Sequence, residues 1–193
     1  MLYHTTALIK PKQILRDGLS PGEMTLAEQV LRAEEAIAEE EEAETCSVGA
    51  QDSLDMTLGR PSAVYFWRHL NQAYESMKGM IDLGLELIVI VINPLQLSCD
   101  CTISDVLATD ELYDMYYHAC IGEVMVDTER EEKLIDQWES SLEAYNPMKD
   151  YPYYCEVACP CTISPKAIRA VYTRNRKKMD TLRWSTERKI TEW

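Results

Sequence analysis

The chain has 193 residues, 46% of them apolar, and a formal net charge of −14. That length supports one well-buried domain with decorations and is short for two. The longest apolar run, Leu87 to Ile92, falls far below the roughly 18 to 20 residues that span a bilayer. The opening residues also lack the basic segment and apolar core of a secretory signal, so a soluble cytoplasmic protein with no membrane partner is expected.

The charge is uneven. Residues 173–193 hold seven basic side chains against three acidic ones, a net of +4, which leaves −18 on the first 172. The acidic body repels phosphate backbones and the tail attracts them; the simpler expectation is that the tail folds against the body. Seven cysteines are an odd number for a disulfide framework. Their spacings, Cys99-x-Cys101 and Cys155-x3-Cys159-x-Cys161, do not repeat a pair about two to four residues apart, as common zinc sites do. Reduced thiols with no bound metal are expected.

Residues 2–6 alternate apolar and polar groups, which predicts a short strand with one buried face. Lys10-Pro11 then opens a short helix, and Asp17-Gly18-Leu19 closes it, with Gly18 free to take the left-handed capping conformation. His4 therefore lies near a strand end, where a lone histidine can equally be a packing residue. Thr25-Leu-Ala-Glu28 reads as a capping box, followed by Leu26, Val30, Ala33 and Ile37 at helical spacing. The glutamate-rich stretch from Glu34 to Glu44 suits a solvated face, and residues 45–61, rich in Ser, Gly and Asp, read as a loop.

Residues 62–67 predict a second strand carrying Tyr65, and the helix after it, running to about Met77, carries Ala73 and Tyr74. Residues 85–92 form the clearest strand, apolar without alternation and so covered on both faces. Residues 94–104 read as an irregular loop. Helices follow at about 105–118 and 128–144, the second opened by Thr128-x-x-Glu131 and striped by Leu134, Ile135, Trp138 and Leu142. The last segment predicts a strand over 151–158, an Ile-Ser-Pro-x-x-Ile connection, and a closing strand over 168–172. Glu156 sits there among aromatic and apolar neighbours, where a carboxylate needs a partner or a job.

Taken together, three clusters in this order resemble the motifs of the ADP-ribosyltransferase superfamily, in its His-Tyr-Glu, poly(ADP-ribose)-polymerase-like branch. They are Tyr3-His4-Thr5 with Gly18-Leu19-x-Pro21, then Tyr65-Phe66 with Ala73-Tyr74 on the following helix, and Glu156 followed by Pro165-x-x-Ile168. The resemblance implies an α+β fold: a split mixed or antiparallel β-sheet flanked by helices. It implies one domain over residues 1–172 with an acidic helical insertion at about 25–60, and a basic tail over 173–193. It also implies an NAD-dependent transferase moving ADP-ribose, as a single unit rather than a polymer, to an acceptor that can be protein, nucleic acid or a small molecule.

Cleaving NAD at the nicotinamide–ribose bond passes through an oxocarbenium-like state, and the leaving group needs no proton. The site must orient NAD, offer an aromatic platform and set one carboxylate beside the ribose. By resemblance, His4 holds the adenosine ribose, Thr5 the nicotinamide amide through its backbone, Tyr65 and Tyr74 the nicotinamide end, and Glu156 is the catalytic carboxylate; no metal is implied. Two other readings stand beside this one. A non-enzymatic interaction protein would keep the tyrosines as core and use the acidic helix against a basic partner. An NAD-dependent RNA 2′-phosphotransferase would need extra cations in the pocket, and only Arg60 and Arg68 lie near the motifs.

Overall fold

The structure is a computed structural model, and it describes residues 1–7, 11–21, 43–60, 62–75, 87–174 and 184–189. Among these, eight strands form one sheet in the order β5-β4-β6-β2-β1-β3-β7-β8, every neighbouring pair antiparallel. The strands are β1 (Leu2–Ala7), β2 (Val64–Trp67), β3 (Leu87–Ile92), β4 (Thr102–Asp105), β5 (Glu143–Ala144), β6 (Cys155–Cys159), β7 (Ile168–Arg174) and β8 (Trp184–Lys189). The helices are α1 (Pro11–Asp17), α2 (Ala43–Leu58), α3 (Leu70–Glu75), α4 (Leu107–Cys120) and α5 (Thr128–Ser141). The protein is thus α+β, and β8 adds part of the basic tail to the sheet edge. No helix among the described residues is long and apolar enough to cross a membrane.

Period-two alternation divides the sheet into two faces. Leu2, Val64, Phe66, Ile88, Ile90, Ile92, Ile103, Val157 and Val171 all point to one side, where Ile14 and Leu15 of α1 cover them in the main core. Because Val89 and Val91 are buried on the other side, β3 is covered on both faces, as its unbroken apolar run predicts. A second apolar cluster joins α2, α4 and α5 through Leu54, Leu58, Leu112, Met115, Leu134 and Trp138.

Several expectations are corrected. Residues 45–61 do not form a loop: α2 runs through Leu58, because Ala50, Leu54 and Leu58 at four-residue spacing bury one stripe against α4. The stretch 94–104 is not wholly irregular either, since it contains a 3-10 turn at Pro94–Gln96 and strand β4, paired on both sides. The cap of α5 is Asp127, whose carboxylate accepts from the Arg130 N–H, and not Thr128. The capping box at Thr25 and the helix expected after it lie outside the described residues as far as residue 42, as do the residues after Glu75 in the helix expected to reach Met77.

The thiol expectation is also overturned. Cys99 is bonded to Cys161 and Cys101 to Cys159, Cys120 is disulfide-bonded as well, and Cys155 is a free, buried thiol. Strand register is the physical reason. Thr102 faces Ala158, and carrying that antiparallel pairing backward along β4 sets Cys101 against Cys159 and then Cys99 against Cys161.

Gly18 ends α1 with φ +84, and its N–H donates to the Ile14 carbonyl. A Cβ there would collide with the Ile163 carbonyl oxygen. Only glycine allows that approach, which two backbone hydrogen bonds between Leu19 and Ile163, 3.1 and 2.7 Å long, then fasten.

Candidate functional site

The candidate residues gather where the sheet is thinnest. β1 and β3 share six registered pairs, whereas β1 and β2 share one, Tyr3 with Trp67. Continuing that ladder would set Thr5 against Tyr65, but the strands part there, and the Tyr65 carbonyl is bonded by the His4 imidazole Nδ1 at 2.8 Å. A carbonyl can only accept, so Nδ1 carries the proton and Nε2 is left as an acceptor. Burial lowers the His4 pKa, with the Tyr65 bond opposing, which keeps the ring neutral.

Alternation turns His4 to the inner face, edge-on to Phe66 with ring centroids 5.8 Å apart. Tyr65 and Glu156 belong to the opposite face. Glu156 pairs in register with Trp67 on β2 and Ser104 on β4, and its carboxylate receives the Arg60 guanidinium at 2.5 Å. The same guanidinium lies 4.3 Å over the Tyr65 ring and 3.7 Å from Asp55. The Tyr65 ring and the Glu156 carboxylate thus flank one planar cation, about 8 Å apart or less once a C–N bond is allowed for.

Local structure aims Arg60. Gly59, at φ +57, follows the end of α2, its N–H donates to the Met56 carbonyl and the Arg60 N–H donates to the Asp55 carbonyl. These are the paired bonds of a Schellman cap, which turns the chain back toward the sheet. Burial works against the Arg60 cation, but the Glu156 charge, helped by Tyr65 and Asp55, outweighs it and raises its pKa. Burial pushes Glu156 up, and Arg60 only partly opposes this. The guanidinium keeps its charge across the accessible pH range, so the carboxylate is the member that titrates. Asp110, on the first turn of α4, is exposed, yet partial loss of water together with Glu156 and Asp114 raises it to about 6.

Thr5 is buried in β1. Tyr74 belongs to α3, and its side chain lies outside the described structure. Arg68 donates to the Tyr151 carbonyl at 2.9 Å, lies 3.6 Å from Asp150 and stacks over the Tyr151 ring. The structure therefore joins Tyr65 to Glu156 through Arg60, and places His4 on the other face, where it meets this cluster at the Tyr65 carbonyl. Sequence reasoning missed Arg60 as the partner that a buried Glu156 requires. Its signal was the Gly59-Arg60-Pro61 helix stop, which aims the residue after the glycine at the sheet.

The fold and this cluster define an α+β protein with an antiparallel sheet and a partly buried Asp–Arg–Tyr–Glu constellation on one face. No family model, curated protein or solved structure matches the chain.

Proposed function

We propose that the protein is an NAD-dependent ADP-ribosyltransferase, built on an ADP-ribosyltransferase-like split sheet, that transfers single ADP-ribose units. One observation carries the reading: an aromatic ring and a partly buried carboxylate flank a planar cation. The nicotinamide end of NAD is also a planar cation, and the ribose left behind develops positive charge. NAD entering the cluster displaces the Arg60 guanidinium, lays its ring on Tyr65 and brings its ribose to Glu156. The carboxylate then favours the charge that develops as the glycosidic bond breaks. His4 lies on the other face of the sheet and takes no part in this pose.

A second reading is favoured by the same ion pair. If Arg60 stays on Glu156, the carboxylate has its partner and the chain is a non-enzymatic protein whose helices are fastened to the sheet by charge. The RNA 2′-phosphotransferase reading has less support, because both Arg60 and Arg68 are engaged by carboxylates or a carbonyl.

Nicotinamide release from NAD by the purified chain separates the two readings. Glu156→Gln should hold NAD about as tightly as the wild type while turning it over at least about a hundredfold more slowly, since the missing charge acts in the transition state. Equal hydrolysis by wild type and Glu156→Gln refutes the enzyme.

A further inference from the structure

Four cysteines meet at the end of the sheet where β4 begins and β6 stops. Cys99 and Cys101 are two residues apart on one chain segment, Cys159 and Cys161 two apart on the other, and a strand repeats its direction every two residues. Cys99, Cys101 and Cys161 lie just outside the two strands, and the bonds Cys99–Cys161 and Cys101–Cys159 bring all four sulfurs to one corner of the sheet. The Cα separation of Cys101 and Cys159, 4.7 Å, is that of facing residues on neighbouring strands, and the chains are wider apart, 6.1 Å, at Cys99 and Cys161. The sulfurs of Cys99, Cys101 and Cys159 lie within 4.8 Å of one another, and that of Cys161 is bonded to Cys99.

We propose that the reduced chain binds one zinc(II) ion through the thiolates of Cys99, Cys101, Cys159 and Cys161. A tetrahedral site with metal–sulfur bonds of about 2.3 Å has sulfur–sulfur edges of about 3.8 Å, within the 4.8 Å that already bounds the sulfurs of Cys99, Cys101 and Cys159. The one-residue spacing that departs from common zinc motifs is thus supplied by register between two strands and not by a turn within one.

The surroundings suit a structural ion. Cys101 and Cys159 are buried, and Cys99 and Cys161 are half-buried at the edge, which leaves an entry path. The Ser98 hydroxyl lies 3.7 Å from the Cys161 sulfur and can donate to a thiolate there, the kind of outer contact that orients a ligand. Four ligands leave no open position, so the ion braces the fold and does no chemistry. The balance is simple: two phosphines and two water molecules reduce the two disulfides to four thiols, and the phosphines leave as phosphine oxides. Zinc then replaces the four thiol protons.

The test uses the full chain, expressed in a reducing cytoplasm with added zinc and purified under a phosphine reductant. Elemental analysis should find about one zinc per chain, and cobalt(II) replacing it should show the strong visible bands of a tetrahedral tetrathiolate. Cys101→Ser should weaken cobalt binding by more than the roughly 10- to 100-fold that loss of an outer contact produces, and Cys155→Ser should leave it unchanged. The wild-type measurement needs no variant to fold. The proposal is overturned if the reduced chain, with its thiols open to alkylation, takes up neither metal, if the cobalt spectrum survives loss of Cys101, or if these disulfides resist the reductant.

Discussion

Strand β6 carries both sides of the molecule on alternate residues. Cys155, Val157 and Cys159 enter the main core, while Glu156 turns the other way to meet Arg60. On the inner side each group gains by leaving water, and the gain depends on volume and fit. On the outer side two charges lose water, and the arrangement holds only while both are present. The two sides should therefore fail differently, one in proportion to volume removed and the other according to whether charge is left unpaired.

Phe66→Ala should show the largest effect. Phe66 is fully buried opposite Val157, and such truncations destabilise by about 3–5 kcal/mol; a loss below about 1 kcal/mol in urea unfolding would mean that this face is not the core. Next comes Arg60→Ala, expected near 3 kcal/mol because it strands a partly buried carboxylate. Replacing both partners, as Arg60→Met with Glu156→Leu, should recover most of that loss. A double variant no more stable than the single one would erase the distinction between the faces.

The smallest effect sharpens the outer side alone. Asp110 is raised from 3.8 to about 6, so folding favours its protonated form. Its contribution is complete below the ordinary value and is lost as pH rises through about 6. Across that window the wild type should lose a few tenths of a kcal/mol relative to Asp110→Asn, a small amount because an exposed carboxylate is screened. A parallel pair of stability curves would show that the carboxylates around Glu156 do not repel Asp110. Glu156 has the same sign, since its raised value means that stability declines as it ionises, and Arg60 limits the decline.

Local signals were legible where one segment sufficed. β1, the two-faced β3 and the Gly18 stop could be read because alternation, an apolar run and a glycine act within a few residues. α2 was hidden by its polar composition, for only its packing on α4 shows that Ala50, Leu54 and Leu58 form a stripe. β4 is four residues long and exists through its neighbours. The cysteine pairs depend on a register between segments 58 and 62 residues apart. Of the candidate site, His4, Tyr65 and Glu156 were named on their own strands, but Arg60 lies 96 residues from Glu156. No spacing rule connects those two.

The closure at Gly18 bears on how the chain reaches this state. β1 lies between β2 and β3, and α1 is latched to Ile163, so the earliest described segment finds its partners only in later ones. Contacts of such wide sequence separation must close long loops before they are rewarded, which slows folding. Until β3 and the Ile163 segment exist, Leu2, Ile14 and Leu15 have nothing to bury against, and a nascent chain displays them to solvent and chaperones. Substituting Gly18 would thus prolong that vulnerable interval as well as weaken the finished fold.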